Sequence, residues 1–431
     1  MKNMSDQIES GLAERRALHL QKRRSAEARF KWYGRIAVSF GMVCVLFLFT
    51  DIISKGAGAF TQTYINMDIT FDEQVLGLNR FSTLEEIKAV SFGSFFKKQL
   101  RAKYPQATSR KQKSQLYAIF SSDMPLILRN MVIAKPALMG TTSSVSLIAD
   151  DDTDVYYKHG YGADSNIGRL SQFQKSIVNA LASEGRVEKR FNAMFFTSSD
   201  SREPELAGIK GALVGSLLTL MVTLLLSFPI AVATAIYLEE FAPSNKFTDF
   251  IEVNINNLAA VPSVIFGLLG LAVFINFFGL PRSVPLVGGF VLTLMTLPTI
   301  IISSRASIKA VPPSIREAAM GMGASKVQTV LHHVLPLAMP GMLTGTIIGM
   351  AQALGETAPL LMIGMVAFIV DVPAGVGDSA TVLPVQIFLW SDSPERAFVE
   401  KTSAAIMVLL AFLIFMNSAA VWLRKKLERR W

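Results

Sequence analysis

Long apolar runs constrain this chain more than any other feature. Several stretches of 18 or more residues are almost free of charge, and each can cross a hydrocarbon core of ~30 Å. Backbone polar groups in lipid need internal partners, so runs of this length are predicted to be helices. Of the 431 residues, 51% are hydrophobic and only 17% are charged, against about 25% charged in soluble proteins. The sequence therefore predicts an α-helical polytopic membrane protein.

Six membrane spans are predicted, with both termini in the cytoplasm. The predicted spans are residues 34–53, 212–238, 258–278, 286–303, 342–370 and 402–423. Lys and Arg are concentrated before the first span and after the last, which is the positive-inside pattern. The net charge of +9 is thus explained by topology, and no motif accompanies it that would indicate nucleic-acid binding.

Alternating polar and apolar segments predict the domain organisation. The predicted parts are a basic cytoplasmic segment 1–33, a membrane anchor 34–54, an outer accessory domain 55–208, a membrane core 209–425 and a basic cytoplasmic tail 424–431. A small-residue triplet, Ala57–Ala59, leaves a cleaved signal peptide as the alternative to a retained anchor. The long basic leader and the wide apolar run favour the anchor.

The segment 55–208 is predicted to be a mixed α/β insert of about 150 residues, enough for a small domain. Residues 81–104 have a helical period, with Ser82 and Glu85 at the spacing of a capping box. Short apolar runs at 132–138 and 145–148 are predicted strands. The acidic run Asp151–Asp154 resembles part of a calcium loop, but the glycine and terminal glutamate of an EF-hand are missing, which favours a solvated turn.

Motifs for catalysis and nucleotide binding are missing from the sequence. The single cysteine, Cys44, excludes an intrachain disulfide, and the four histidines form no zinc pattern. No phosphate-binding P-loop is found. We therefore expect no cofactor on this chain, and any ATP would be hydrolysed by another subunit.

A charged stretch, residues 311–336, separates the fourth and fifth predicted spans. Pro312 and Pro313 stop the span. Ser314 and Glu317 have capping-box spacing, which predicts a short helix.

A second short helix is predicted after the first. Gly321 and Gly323 suit the left-handed end of the first helix. Ser325 and Gln328 repeat the capping-box spacing, and Pro336 is predicted to end the second helix. The predicted apolar faces are Ile315, Ala318, Ala319 and Met322 in the first helix, and Val327, Val330, Leu331, Val334 and Leu335 in the second. The pair is interpreted either as a loop lying on lipid or as a docking element, where the two alanines allow close approach.

This stretch resembles the EAA loop of bacterial ABC importer permeases, in which EAA, a glycine and a later Leu-Pro recur at fixed spacing. The matching residues are Glu317, Ala318, Ala319, Gly323, Leu335 and Pro336. His333 departs from the pattern, where an aliphatic residue is usual. The resemblance implies a type I importer permease with six transmembrane helices, whose loop inserts into a cleft of a separate ATPase and transmits its motion.

Three further motifs resemble the PstA-type permeases of phosphate importers. They are VPSVIFGLLG at 261–270, LPTIIIS at 297–303 and LGETAPLL at 354–361. The resemblance implies a second related permease, an ATPase dimer that holds ATP and Mg²⁺, and a periplasmic phosphate-binding protein. It also implies the bacterial inner membrane, with 55–208 as a periplasmic extension.

The candidate translocation path centres on Glu356, predicted to lie deep in the fifth span. Intramembrane ionisable residues are costly and are candidates for function. The candidate path and gate residues are Glu356, Gly355, Thr357, Pro359, Gln352, Arg305 and Ser263. We expect Glu356 to pair with a basic residue of a partner permease, with a lock between helices as the alternative. PstA-like sequences commonly carry arginine where this chain has Gln352, so a cationic phosphate contact from this helix is not expected.

Arg305 has two interpretations, as positive charge for the path or as an interface residue that sets topology. Three other functions stay open at this stage. They are a permease for another solute, a secondary transporter or channel, and an enzyme or sensor in the outer domain. The GETAPLL element argues against the first. Secondary transporters often show two related membrane halves, which are not detected here, and no catalytic motif supports the third.

Overall fold

The computed structural model describes residues 2–161 and 169–427. It divides into two compact units, Met1–Ser54 and Lys55–Trp431. The first unit is the long helix α1 (Lys2–Gly56). Apolar side chains such as Phe40 and Phe47 are exposed in this unit, as expected of a helix surrounded by lipid.

The second unit begins with an α/β domain, which confirms the predicted insert. Its central strand, β1 (Thr61–Thr70), pairs antiparallel with β2 (Thr142–Ile148) and β3 (Val187–Phe191). Alternate residues of β1 are buried in the domain's core, so one face of the sheet is covered by helices. The helices of this domain are α2 (Glu73–Leu76), α3 (Leu84–Ala89), α4 (Phe92–Lys103), α5 (Arg110–Tyr117), α6 (Met124–Ala134), α7 (Asp151–His159), α8 (Gln172–Ser183) and α9 (Ala193–Thr197).

Four local predictions in this domain are wrong. Residues 81–104 form two helices, because Ser91 starts a new one by capping α4. The cap of α3 is Thr83, which forms a capping box with Glu86. Residues 132–138 end α6 and continue as a turn, since a short apolar run fits a buried helix as well as a strand. The predicted solvated turn at Asp151–Asp154 is instead the first turn of α7.

The membrane core follows, and it is helical. Its helices are α10 (Lys210–Ile236), α11 (Lys246–Leu258), α12 (Ser263–Gly270), α13 (Pro285–Lys309), α14 (Pro313–Gly321), α15 (Lys326–Thr329), α16 (Leu335–Gly355), α17 (Ala358–Met362), α18 (Leu383–Ser391) and α19 (Ala397–Leu427). Among the described residues, five continuous helices are long and apolar enough to cross a membrane: Arg23–Phe60, Lys210–Phe241, Pro285–Lys309, Lys326–Gly355 and Ala397–Lys426. A sixth span is reached only if one bent helix pair is counted as a single crossing.

That bent pair corrects the third predicted span, 258–278. The helix α11 ends at Leu258, a new helix starts at Ser263, and the two differ in direction by 103°. Pro262 occupies the cap position of α12, and a proline there cannot continue the preceding helix. Hydropathy reports the composition of a segment and carries no information on such a change of direction.

The fifth predicted span, 342–370, is also shifted. The continuous helix runs over Lys326–Gly355 and then stops. Glu356 has an extended backbone (φ −76°, ψ 127°), and Pro359 lies in the first turn of α17. Glu356 therefore lies at the end of α16 and not within the helix.

Small residues set the distance between the central helices. A Cβ at Gly289 of α13 would lie 2.4 Å from Cγ1 of Val222 in α10. Cβ atoms at Gly341 and Gly345 of α16 would lie 2.2 Å and 1.6 Å from hydroxyl oxygens of α13. Such glycines let helix backbones approach closely in membranes, where dispersion and hydrogen bonds drive association.

Candidate functional site

The first short helix of the 311–336 stretch, α14, starts two residues earlier than predicted. Pro312 is at the cap position and Pro313 is the first helical residue, where the missing N–H costs nothing. Ser314 is then inside the first turn and makes no cap bond. The predicted capping box of Ser314 with Glu317 is therefore wrong, and the Glu317 side chain is exposed.

The end of α14 agrees with the prediction of a left-handed glycine. Gly323 has φ +92°, and its N–H bonds to the Met320 carbonyl oxygen at 2.9 Å. The N–H of Ala324 bonds to the Ala319 carbonyl oxygen at 3.1 Å. This pair of bonds is the Schellman motif, which needs a residue tolerant of positive φ.

The second short helix begins with the predicted capping box and then runs into the membrane. Ser325 accepts from the N–H of Gln328, and the Gln328 side chain accepts from the N–H of Ser325. A π turn, Val330–Val334, connects α15 to α16. The prediction that Pro336 ends this helix is wrong, because Pro336 lies in the first turn of α16. Wider turns of this kind accommodate breaks in the regular hydrogen-bond ladder.

The two predicted apolar faces are only partly buried. Ala319 is buried while Ala318 is exposed, so only Ala318 is available for close approach. The side chains at Val330 and Val334 are buried. Four apolar side chains of residues 320–331 are exposed, and we call them the apolar patch: Met320 (49%), Met322 (86%), Val327 (53%) and Leu331 (49%). Exposed apolar side chains in larger patches mark interaction surfaces.

An arginine holds α14 in place. Arg316 donates to Oε1 of Glu240 at 2.8 and 3.0 Å, and to the carbonyl oxygens of Val311 at 2.6 Å and Ile308 at 2.9 Å. Glu240 lies in the π turn that follows α10, and its side chain is 9% exposed. A forked guanidinium with two bonds to one carboxylate fixes orientation as well as distance. The helix α14, which carries Met320 of the apolar patch, is thus attached to the turn after α10 and to the end of α13.

A second ion-pair cluster lies beside the first. Arg305 of α13 donates to Glu239 at 2.5 Å and is 2.6 Å from Oε1 of Glu252 in α11. Lys309 is 3.4 Å from Glu239. The predicted positive charge of Arg305 is therefore neutralised within this chain, and it joins three helical segments. The acidic partners are Glu239, from the turn that follows α10, and Glu252, from α11.

The candidate gate surrounds the break after α16. Glu356 and Thr357 are half-buried, Pro359 is buried, and Gly355 and Gln352 are exposed. Among the ion pairs that the described residues form, none includes Glu356.

Two of the motifs meet at this break. A Cβ at Gly267 of α12 would lie 2.7 Å from Cα of Pro359 and 2.9 Å from Cβ of Met362. The backbones of α12 and α17 are therefore in contact, and Ser263 lies one turn before Gly267 and is half-buried. The sequence contains both motifs, but their contact is visible only in the fold.

Comparison with known proteins shows the family to which this chain belongs. Residues 227–431 match the family described as "Binding-protein-dependent transport system inner membrane component". The chain is 30% identical over 265 residues to the probable ABC transporter permease protein YqgI of Bacillus subtilis (strain 168), covering 58% of this chain and 87% of that protein. It is 30% identical over 210 residues to the phosphate transport system permease protein PstA of Mycobacterium leprae (strain TN), covering 49% and 68%. The chain belongs to the PstA-type ABC importer permeases.

Two further similarities were found for this PstA-type permease. Residues 17–166 match a domain of unknown function, DUF3333, which overlaps α1 and the α/β domain. A chain from the inward-facing structures of the MetNI methionine ABC transporter matches 51% of this chain and 97% of its own, at 19% identity and a TM-score of 0.41.

The sequence patterns did not reveal the charged residues that hold α13 and α14 of this permease in place. Glu239, Glu240 and Arg316 are not among the residues that match the family motifs. The sequence does contain a signal for these ion pairs: two adjacent glutamates follow one predicted span, and arginines lie near the end of another. Opposite charges at the ends of neighbouring helices are a reason to expect ion pairs.

Proposed function

We propose that this permease forms half of the translocation path of an ATP-driven importer of inorganic phosphate, and that it couples to a separate ATPase through residues 311–336. The apolar patch carries the proposal. It is exposed, and Arg316 ties α14 to two spans through its ion pair with Glu240 and its bond to the Ile308 carbonyl oxygen, so a force applied there reaches the spans. A loop that merely lay on lipid would not need this attachment.

The substrate assignment rests on relatives. The Mycobacterium leprae relative and a 27% identical protein of Haemophilus influenzae are both named phosphate transport system permease protein PstA. We extend their substrate to this chain, together with a second permease, an ATPase dimer binding ATP and Mg²⁺, and a periplasmic phosphate-binding protein. The proposed orientation in the inner membrane has both termini in the cytoplasm and residues 55–208 in the periplasm.

The proposal assigns Glu356 to the gate. Its carboxylate is half-buried at the end of α16, and a basic residue of the second permease is the proposed partner. A carboxylate repels phosphate, so this residue would act on the position of α16 and α17 and would not bind the substrate.

Replacing Met322 with aspartate tests coupling. Burial of an uncompensated carboxylate against the ATPase would cost several kcal/mol, so we expect co-purification of the ATPase to fall at least about tenfold. Phe81→Asp is the matched control, because Phe81 is 93% exposed and lies in the α/β domain. Undiminished binding of the ATPase by the Met322 variant would contradict the proposal.

Replacing Glu356 with glutamine tests the gate. Removing one partner of a buried charge pair costs about 2–5 kcal/mol, so phosphate uptake in vesicles is expected to fall about tenfold or more with assembly unchanged. Glu85→Gln, at an exposed position of α3, should transport normally. The same vesicles, supplied with sulfate, distinguish a phosphate importer from one for another solute. Wild-type uptake by the Glu356 variant would exclude the proposed role.

A further inference from the structure

An apolar cavity lies between three helices of the membrane core. Its volume is about 150 Å³, and it is lined by side chains of α10, α16 and α19 such as Leu220, Met350 and Leu413. On α16 the lining extends from Leu343 to Leu354, which is about three turns of helix, or roughly 16 Å at 1.5 Å per residue. The cavity is therefore long and narrow, and it runs along helices that cross the membrane.

Water is a poor occupant of this cavity. The polar side chains that line it are Thr346 and Asn417, and the Thr346 hydroxyl already donates to the Met342 carbonyl oxygen at 2.9 Å. A buried water needs about two to four polar partners, and an aliphatic cavity of similar volume stays dry and takes up apolar ligands. In a bilayer the apolar molecule next to the cavity is a lipid, so an acyl chain is the expected occupant.

The shape of the cavity also favours an acyl chain over a protein helix. A helix with its side chains measures about 10 Å across, which is too wide for a cavity of this volume spread over three turns. Leu224, which lines the cavity, is 38% exposed. A lipid chain can therefore enter from the side of the membrane core.

A positive charge lies at one end of the cavity. Arg424 follows the lining residues Asn417 and Ala420 on the same face of α19, two turns after the first and one turn after the second. Its guanidinium donates to Oγ1 of Thr344 in α16 at 2.9 Å, next to Leu343 of the lining. The Nε of Arg424 is buried and has no hydrogen-bond partner among the described residues. This arginine is thus held between two helices with a donor left for an anion.

The neighbours of Arg424 add to the positive charge. Lys425 and Lys426 are exposed, and the sequence has no Asp or Glu at positions 402–427. Trp422 is 64% exposed, and the Lys426 ammonium lies 5.4 Å from the centroid of its ring. Tryptophan and basic residues at the end of a span are typical of the level of the lipid headgroups. Basic pockets between membrane helices bind the headgroups of anionic lipids.

We propose that one anionic phospholipid binds here, with an acyl chain in the cavity and its phosphate group on Arg424. A zwitterionic phospholipid has the same chains and a phosphate, but its ammonium group is repelled by Arg424 and the two lysines that follow. The site therefore prefers a headgroup of net negative charge. The bound lipid fills the space between α10, α16 and α19, and so joins the helix that follows residues 311–336 to the last span. This role does not depend on which solute is transported.

Native mass spectrometry of the full chain in detergent, with phosphatidylglycerol or phosphatidylethanolamine added, tests the headgroup. We expect one phosphatidylglycerol per chain to be retained, bound about tenfold more tightly than phosphatidylethanolamine. Arg424→Ala removes a charge-assisted contact, so phosphatidylglycerol binding should weaken about tenfold while phosphatidylethanolamine binding changes little. Arg35→Ala, at an exposed basic position of α1, is the matched control and should bind as wild type.

A second pair of variants tests the cavity itself. Ala420 lines the cavity, so Ala420→Phe displaces part of the acyl chain and should weaken binding of both lipids about tenfold. Ala419→Phe is the matched control, because Ala419 is the preceding residue and is exposed.

Four results would overturn the proposal. The first is equal binding of the two lipids by the wild type, and the second is an equal loss in the Arg35 and Arg424 variants, which would indicate diffuse surface charge. The third is an equal loss in the two phenylalanine variants. The fourth is unchanged lipid binding by Ala420→Phe with reduced co-purification of a second permease, since the cavity would then hold part of that protein.

Discussion

Replacing Gly345 with alanine is expected to disrupt the packing of α16 on α13. The added Cβ would lie 1.6 Å from Oγ and 2.4 Å from Cβ of Ser303. Ser303 is short and attached directly to the α13 backbone, so a rotamer change cannot remove the clash and the helices have to separate. Overpacking of this kind costs about 1–3 kcal/mol or more. We expect the Tm to fall by about 5 °C or more, with a lower yield of monodisperse protein in size-exclusion chromatography.

Two further variants make this expectation specific. Ser303→Gly in the same chain removes both clashing atoms, so it should restore most of the lost stability, less the ~1 kcal/mol that glycine costs within a helix. Gly349→Ala is the matched control one turn later, because its Cβ would lie 3.4 Å from the nearest atom, Cγ1 of Ile300. Equal damage from Gly349→Ala, or no rescue by Ser303→Gly, would contradict this explanation.

Replacing Arg316 with alanine is expected to uncouple α14 from the spans. Glu240, 9% exposed, would lose its partner, and removing one member of a buried pair costs about 3–5 kcal/mol. The bonds to the Val311 and Ile308 carbonyl oxygens would be lost as well. We expect ATP-driven uptake to fall at least about tenfold, while the protein still inserts in the membrane. Uptake in right-side-out or reconstituted vesicles, together with ATPase co-purification, measures this.

Charge and shape contribute separately to the role of Arg316. Arg316→Lys keeps the charge but loses the fork that makes two bonds to Glu240, so partial uptake is expected. Replacing Arg316 and Glu240 together with methionine should recover stability, because no unpaired charge stays buried. Arg110→Ala, at an exposed position of α5, is the neutral control. Normal uptake by the alanine variant of Arg316 would show that this ion pair does not transmit motion.

Features set by a few neighbouring residues were readable from the sequence. The membrane helices follow from apolar runs, and the Ser325–Gln328 box and the left-handed turn at Gly323 were found where predicted. The mixed α/β insert was also expected. The cap and the turn are stabilised by interactions within one or two turns of chain, and alternating polar and apolar segments were enough to predict the class of the insert.

Predictions were wrong where two local patterns competed. Ser314 and Glu317 have capping-box spacing, but Pro313 starts the helix first and removes the serine from the cap position. Pro336 looked like a helix stop, and a π turn instead carries the helix past it. The apolar run around Leu258 hides a sharp bend, because hydropathy measures composition and not direction.

The sequence by itself determined the class of this protein, its transmembrane helices and the motifs of its family. Only the tertiary structure decided which charges meet. Arg305 and Glu239 are 66 residues apart, and Arg316 and Glu240 are 76 apart. The carboxylates of Asp151 and Glu205 meet across a comparable separation. Local rules depend on neighbours along the chain, whereas these contacts depend on how closely glycine-rich helices and the α/β domain pack, and that packing is settled by the whole fold.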